Sequence, residues 1–209
     1  MSNSIRIHIT RSLYLSVSLE NTKLGKIPNF NLPPGKTCSK QACKSCFLDG
    51  CYAMKAYRMY PSCRAAWDMN LECVKKYPER VKAALIWFIR KNKPAFFRIH
   101  SAGDFFAAWY FWLWLDVVRE CQDTLFLAFS KQFDIIRTID GEKPYNLIIK
   151  PSGWHDIDIP EDLIKTYGGG AYCVEDGDTA PENAFECLGD CRTCHYCYED
   201  TGSVYFHKH

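Results

Sequence analysis

Ala95-Phe96-Phe97-Arg98-Ile99-His100-Ser101-Ala102-Gly103-Asp104-Phe105 is the stretch that decides the fold. Pro94 closes what precedes it, and the aromatic and branched residues after it read as a buried strand. The small-residue turn Ser101–Asp104 follows at once, and then an aromatic-rich helix expected over Phe105–Cys121. A strand that hands directly to a helix is half of a βαβ unit, and the pattern repeats downstream. Thr124–Phe129 predicts a second such strand, Asp134–Ile139 a short helix, Leu147–Ile149 a third strand and Ala171–Val174 a fourth. Upstream, residues 5–19 alternate well enough for one or two strands. A turn-rich loop through Pro33-Pro34-Gly35 comes next, and helical spacing sets in beyond Cys51. A further helix is expected over Pro78–Lys91, with Val81, Leu85, Phe88 and Ile89 inward. This alternation predicts an α/β protein with a partial parallel (β/α) barrel over residues 1–172. An irregular, cysteine-rich tail over 173–209 completes it, held by metal rather than by a core.

The chain holds 12 cysteines in 209 residues, far too long for a small disulfide scaffold. Its first residues lack the apolar core of a secretion signal, and its most apolar run, Ala107–Val118, is shorter than the ~20 residues a bilayer demands. The sequence therefore predicts a cytoplasmic chain with no membrane partner, where thiols stay reduced and clustered cysteines bind metal. A net charge of +2 singles out no partner. Residues 54–93 carry ten bases against three acids, and 156–200 carry twelve acids against two bases. Mutual attraction of the two segments accounts for that asymmetry as well as an anion-binding face does.

Cys38, Cys43, Cys46 and Cys51 are spaced C-x4-C-x2-C-x4-C, on a loop between a strand and a helix. Short intervals of this kind let a loop wrap its thiolates around one point. Cys187, Cys191, Cys194 and Cys197, spaced C-x3-C-x2-C-x2-C, resemble a reversed ferredoxin run, and Cys173 can replace Cys187 as the fourth ligand. Zinc and iron–sulfur clusters both accept four thiolates, so spacing alone does not choose between them. Cys63, Cys73 and Cys121 fall on helical segments and read as ordinary buried thiols.

Ligands in α/β sheets gather at the carboxyl ends of strands. Gly103 there permits close approach to the backbone. Asp104 either accepts hydrogen bonds from a ligand's ammonium or hydroxyl, or caps the helix starting at Phe105. His100 reads as a core histidine. Lys131 and Lys150 are expected on the same rim, and the stripe Trp109, Phe111, Trp112, Trp114, Leu115 reads as core.

The order Asn31-Leu32-Pro33-Pro34-Gly35-Lys36-Thr37-Cys38, Cys51-Tyr52-Ala53, Tyr57-Arg58-Met59-Tyr60-Pro61, Phe97-Arg98-Ile99-His100-Ser101-Ala102-Gly103-Asp104-Phe105 and the late Cys191-x2-Cys194-x2-Cys197-Tyr198 resembles the phage "gene product 88" family over about residues 13–198. That family is distantly similar to radical S-adenosylmethionine proteins. The resemblance implies that the late motif takes Cys173 as its preceding cysteine, and that the first motif uses three cysteines, with Cys43 or Cys46 additional. It further implies two 4Fe–4S clusters. In that picture one iron of the first cluster is open for S-adenosylmethionine, and Gly103 and Asp104 lie where related enzymes hold the methionine amine. It carries no established reaction, and here Ser45 precedes Cys46 and Gly50 precedes Cys51 where those enzymes place an aromatic residue.

Three readings follow. The first is a two-cluster iron–sulfur protein acting as a radical S-adenosylmethionine-like enzyme on an unknown substrate. The second keeps both clusters as a non-catalytic electron-transfer or redox-sensing protein with a redox partner. The third is a zinc-stabilised protein that binds nucleic acid through residues 54–93.

Overall fold

A computed structural model describes residues 3–46, 48, 50–139, 143–175 and 179–207. Its main sheet runs in sequence order through β1 (Ser4–His8), β2 (Tyr14–Ser18), β3 (Asn29–Phe30), β4 (Phe96–Ile99), β5 (Leu125–Ser130) and β6 (Leu147–Pro151). The first two pairings are antiparallel, and β3 through β6 are parallel. A bridge from Ser152 to Ala171 then carries the parallel series onto β7 (Ala171–Val174). Among the described residues the sheet is mixed and open. The turn-rich loop before Cys38 thus contains a strand that the sequence hides, because β3 is two residues long.

Strand alternation gives the sheet two different faces. Phe97 and Ile99, Phe126 and Ala128, Leu147 and Ile149 face a core shared with helices α3 (Pro61–Lys76), α4 (Pro78–Asn92) and α5 (Ala108–Glu120). Pro at the first position of α3 and α4 suits the helix start, where no N–H is needed. Tyr110, Phe111, Trp114 and Leu115 of α5 are fully buried, each contributing on the order of 1.5–3 kcal/mol. Trp109 is 46% exposed, so the stripe expected as core is core only in part. The opposite face presents Phe96, Leu127, Phe129 and Ile148.

The C-terminal segment covers that second face, and it is not irregular. It holds β8 (Phe185–Glu186), α8 (Tyr196–Glu199) and β9 (Val204–His207), with β9 lying between β7 and β8 in a parallel sheet. Tyr198 and Val204 are buried, and Tyr198 packs on Phe96, with ring centroids 4.9 Å apart. Short elements with few apolar residues gave the sequence no periodicity to reveal them. Two short helices, α6 (Phe133–Ile136) and α7 (Glu161–Tyr167), follow β5 and β6. No described helix is long and apolar enough to cross a membrane.

Candidate metal centres

The first thiol group lies at the carboxyl edge of the parallel strands, on the segment leading through α1 (Lys40–Lys44) to α2 (Tyr52–Met59). Two buried asparagines and Thr37 fix the lead-in. Asn31 Oδ1 accepts from the N–H groups of Ser101 and Ala102 at 2.8 and 3.1 Å. Asn70, on α3, donates to the carbonyls of Asn31 and Ser16, both at 2.9 Å. Thr37 Oγ1 accepts from the Asp104 N–H at 3.2 Å, and the Thr37 carbonyl accepts from Gln132 Nε2 at 3.1 Å. Beyond it the Ser45 hydroxyl donates to Asp156, and the Tyr52 hydroxyl donates to the Ser101 carbonyl.

Gly35 sits between two of the sulfurs: its N–H donates to Cys38 Sγ and its carbonyl accepts from Cys43 Sγ, both at 3.4 Å. Cys46 and Cys51 are electrostatic neighbours of Cys43, and Cys46 also of Cys38. Burial pushes the Cys38 thiol up to about 12 and Cys46 to about 11. The nearby Asp104 carboxylate adds to both, while Lys131 partly offsets Cys46.

Gly103 and Asp104 stand at this group, but their geometry serves the protein first. Gly103 has φ +80°, and a Cβ there would come within 2.7 Å of the Leu32 carbonyl and Thr37 Oγ1. Close packing of two chain segments demands this glycine. Asp104 is buried, with Oδ1 accepting from Phe105 N–H and Ser130 Oγ (both 2.7 Å) and Oδ2 from Lys131 N–H (2.8 Å). These bonds tie the end of β4 to the end of β5. They also keep residues 104–107 out of the helix, which begins at Ala108 rather than Phe105, so Asp104 does not cap it. Burial pushes the Asp104 carboxyl up to about 6 despite these donors.

His100 is the core histidine expected. Its φ of +64° turns it from the alternation of β4 toward Tyr110, whose hydroxyl lies 2.8 Å from Nε2. Burial, with Arg98 adding to it, lowers His100 to about 3.

In the second group, Cys187, Cys191, Cys194 and Cys197 line one hollow of about 320 Å³, open on one side, with Tyr198 and Val204 beside them. Cys173 is not in that lining. It lies on β7 opposite Phe206 of β9, and β9 separates it from β8 and the Cys187 that follows. Two strand spacings make that gap about 10 Å. Burial raises Cys191 and pushes Cys197 up to about 11, opposed at Cys191 by Arg98 and Lys23 and at Cys197 by Lys150 and Arg98.

Those two cations belong to the covered face of the sheet. Lys150 is on β6, fully buried, and not on the rim where the sequence suggested it; its Nζ donates to the carbonyls of Asp200 (3.1 Å) and Gly202. Arg98 is 8% exposed, lies 3.9 Å over the Phe129 ring and donates from Nε to the His100 carbonyl at 3.1 Å. Among the described residues no carboxylate lies within ion-pair distance of either; Asp200 acts on Lys150 from further away. Lys131 does lie on the rim, with Nζ donating to Ser152 Oγ at 2.7 Å.

No disulfide joins the described cysteines. Among the described residues no three His, Cys, Asp or Glu side chains already converge as a single bound ion requires. Cys73 and Cys121 are buried thiols as expected, while Cys63 is partly exposed. The bases of 54–93 do not gather into one strip. Lys76 pairs with Glu72, Lys82 with Glu79 and Asp116, and Arg90 with Glu120, while Lys75 and Lys91 lie over Phe106 and Trp87.

The family profile described as gene product 88 matches residues 12–204. No curated protein and no solved structure matches the chain.

Proposed function

The chain belongs to the gene product 88 family, and from that premise and its two thiol groups we propose that it is an iron–sulfur protein with two 4Fe–4S clusters, working in electron transfer or redox sensing. One cluster would take the thiols of 38–51, the other those of 187, 191, 194 and 197. The observation that carries this reading is the tail hollow: four thiols line it, and two buried cations without a carboxylate at ion-pair distance face them. A buried, unpaired charge costs several kcal/mol. A metal–thiolate centre is an anion overall, and binding it releases the protons that burial otherwise holds on the thiols. Zinc would satisfy the same charges, and the ferredoxin-like spacing of the tail favours iron.

Anaerobically purified protein should be brown and carry about eight iron atoms with matching sulfide. Replacing Cys191 and Cys194 by Ser should leave about four. Colourless protein with zinc and no sulfide would overturn the proposal.

The placing of the loop thiols at the carboxyl edge of β3–β6 favours a second reading, a radical S-adenosylmethionine-like enzyme with the open sheet as its partial barrel. The loop cluster would then supply the electron that cleaves S-adenosylmethionine. Asp104 has a remaining lone pair on Oδ2 for an ammonium, although three donors already hold its carboxylate. Reduction with S-adenosylmethionine present should release methionine and 5′-deoxyadenosine; a paramagnetic resonance spectrum indifferent to that compound would leave the electron-transfer reading alone.

A further inference from the structure

We propose that Arg98 is the common counter-charge of both centres and holds up both reduction potentials, while Lys150 serves the tail centre alone. The proposal rests on the two-cluster reading above. Arg98 occupies the middle of the sheet, in β4, on the face covered by the tail. The Phe129 ring and the His100 carbonyl hold its guanidinium in place, and no carboxylate neutralises it. On one side its charge reaches Cys191, Cys197 and Tyr198. On the other it reaches Tyr52, which itself neighbours Cys38, Cys46 and Cys51. Tyr52 follows Cys51 directly, and its hydroxyl is anchored at Ser101, three residues past Arg98 and so about 10 Å along the chain. Lys150 has no such second neighbour: its Nζ is held at Asp200 and Gly202, and its charge acts on Cys197.

An arginine does not shed its proton in a protein, so this charge is constant whatever the state of either cluster. In a poorly polarisable interior a fixed cation stabilises each added electron, and the effect falls with distance. Each reduction adds one electron from an external donor to a cluster, and Arg98 gains or loses nothing.

The experiment is a dithionite titration of the full chain, followed by paramagnetic resonance. The Cys191→Ser/Cys194→Ser chain assigns the signal of the loop cluster. Arg98→Met should lower the midpoints of both signals by at least about 59 mV, the equivalent of tenfold in a one-electron equilibrium. Lys150→Met should lower only the tail signal. Arg98→Lys, which keeps the charge but not the planar stacking, should restore most of the loss; a packing role would leave it as impaired as the methionine chain. A shift of the tail signal alone in Arg98→Met, or of neither, overturns the proposal. Absence of both signals in the unsubstituted protein overturns the two-cluster reading with it.

Discussion

Cys38 and Cys46 lie beside a buried carboxylate, whereas Cys191 and Cys197 lie beside two buried cations. The two groups offer the same ligand chemistry, and burial raises thiols in both, yet the charge around them has opposite sign. Lys131 narrows the difference without removing it, since Asp104 acts on both loop thiols and Lys131 opposes it only at Cys46. An electron placed on the loop centre meets Asp104, and one placed on the tail centre meets Arg98 and Lys150. Anchoring differs too. The loop is clamped by polar bonds to the ends of β4 and β5, while the tail rests an aromatic and cysteine surface on a sheet face.

The largest expected effect separates the two regions mechanically. Gly103→Ala should destabilise the protein by roughly 2–5 kcal/mol, because the new methyl meets the Leu32 backbone and the φ of +80° is strained for alanine. The loop cluster should be lost while about four irons remain at the tail. Urea unfolding and iron analysis together test this. Equal loss from both groups would break the picture of independent anchoring.

Next in size is a pH effect confined to the loop. Burial raises Asp104 from the usual 3.8 to about 6 in the fold. The protonated carboxyl therefore favours the folded state below about pH 4, and that contribution is lost as pH rises through 6. It amounts to about 3 kcal/mol across the window. Asp104→Asn lacks this titration. The stability advantage of the natural chain over it should thus be greater at pH 4 than at pH 7, measured by denaturant unfolding without metal. His100, depressed to about 3, contributes in the opposite direction but equally in both proteins, so the comparison cancels it. A pH-independent difference would mean that Asp104 does not carry the loop's extra negative charge.

The smallest effect is expected on the tail side. The Tyr198 hydroxyl is buried with no hydrogen-bond partner among the described residues. Tyr198→Phe should leave metal-free stability unchanged or raise it by up to about 1 kcal/mol. A melting temperature lowered by several degrees would show that this hydroxyl is bonded within the hollow.

The thiol groups were legible because four cysteines within fourteen or eleven residues need no tertiary information. The strands β4, β5 and β6 were legible because each is a short apolar run bounded by breakers. Arg98 and Lys150 were not. Their burial depends on a segment about fifty residues beyond Lys150, and a lone cation in an apolar run looks like a strand end until its cover is seen. Asn31 and Asn70 were missed as well. Each satisfies backbone groups far away in sequence, and no spacing rule marks such an asparagine. Gly103 and Asp104 were found at the right place for a partly different reason: the turn is conformationally demanding because it packs against Leu32 and Thr37.

The strand order of the tail sheet bears on how the protein is made. β9 is synthesised after both of its neighbours, β7 and β8, yet it lies between them. At translation rates of about 5–20 residues per second, the main sheet can form while the last strand is still inside the ribosome. Cys187, Cys191, Cys194 and Cys197 then emerge in front of a sheet that lacks its middle strand. Their hollow, which Val204 helps to line, can close only after β9 is released. Assembly of the two centres is thereby staggered in time: the loop can be loaded on a nascent chain, and the tail only on a finished one.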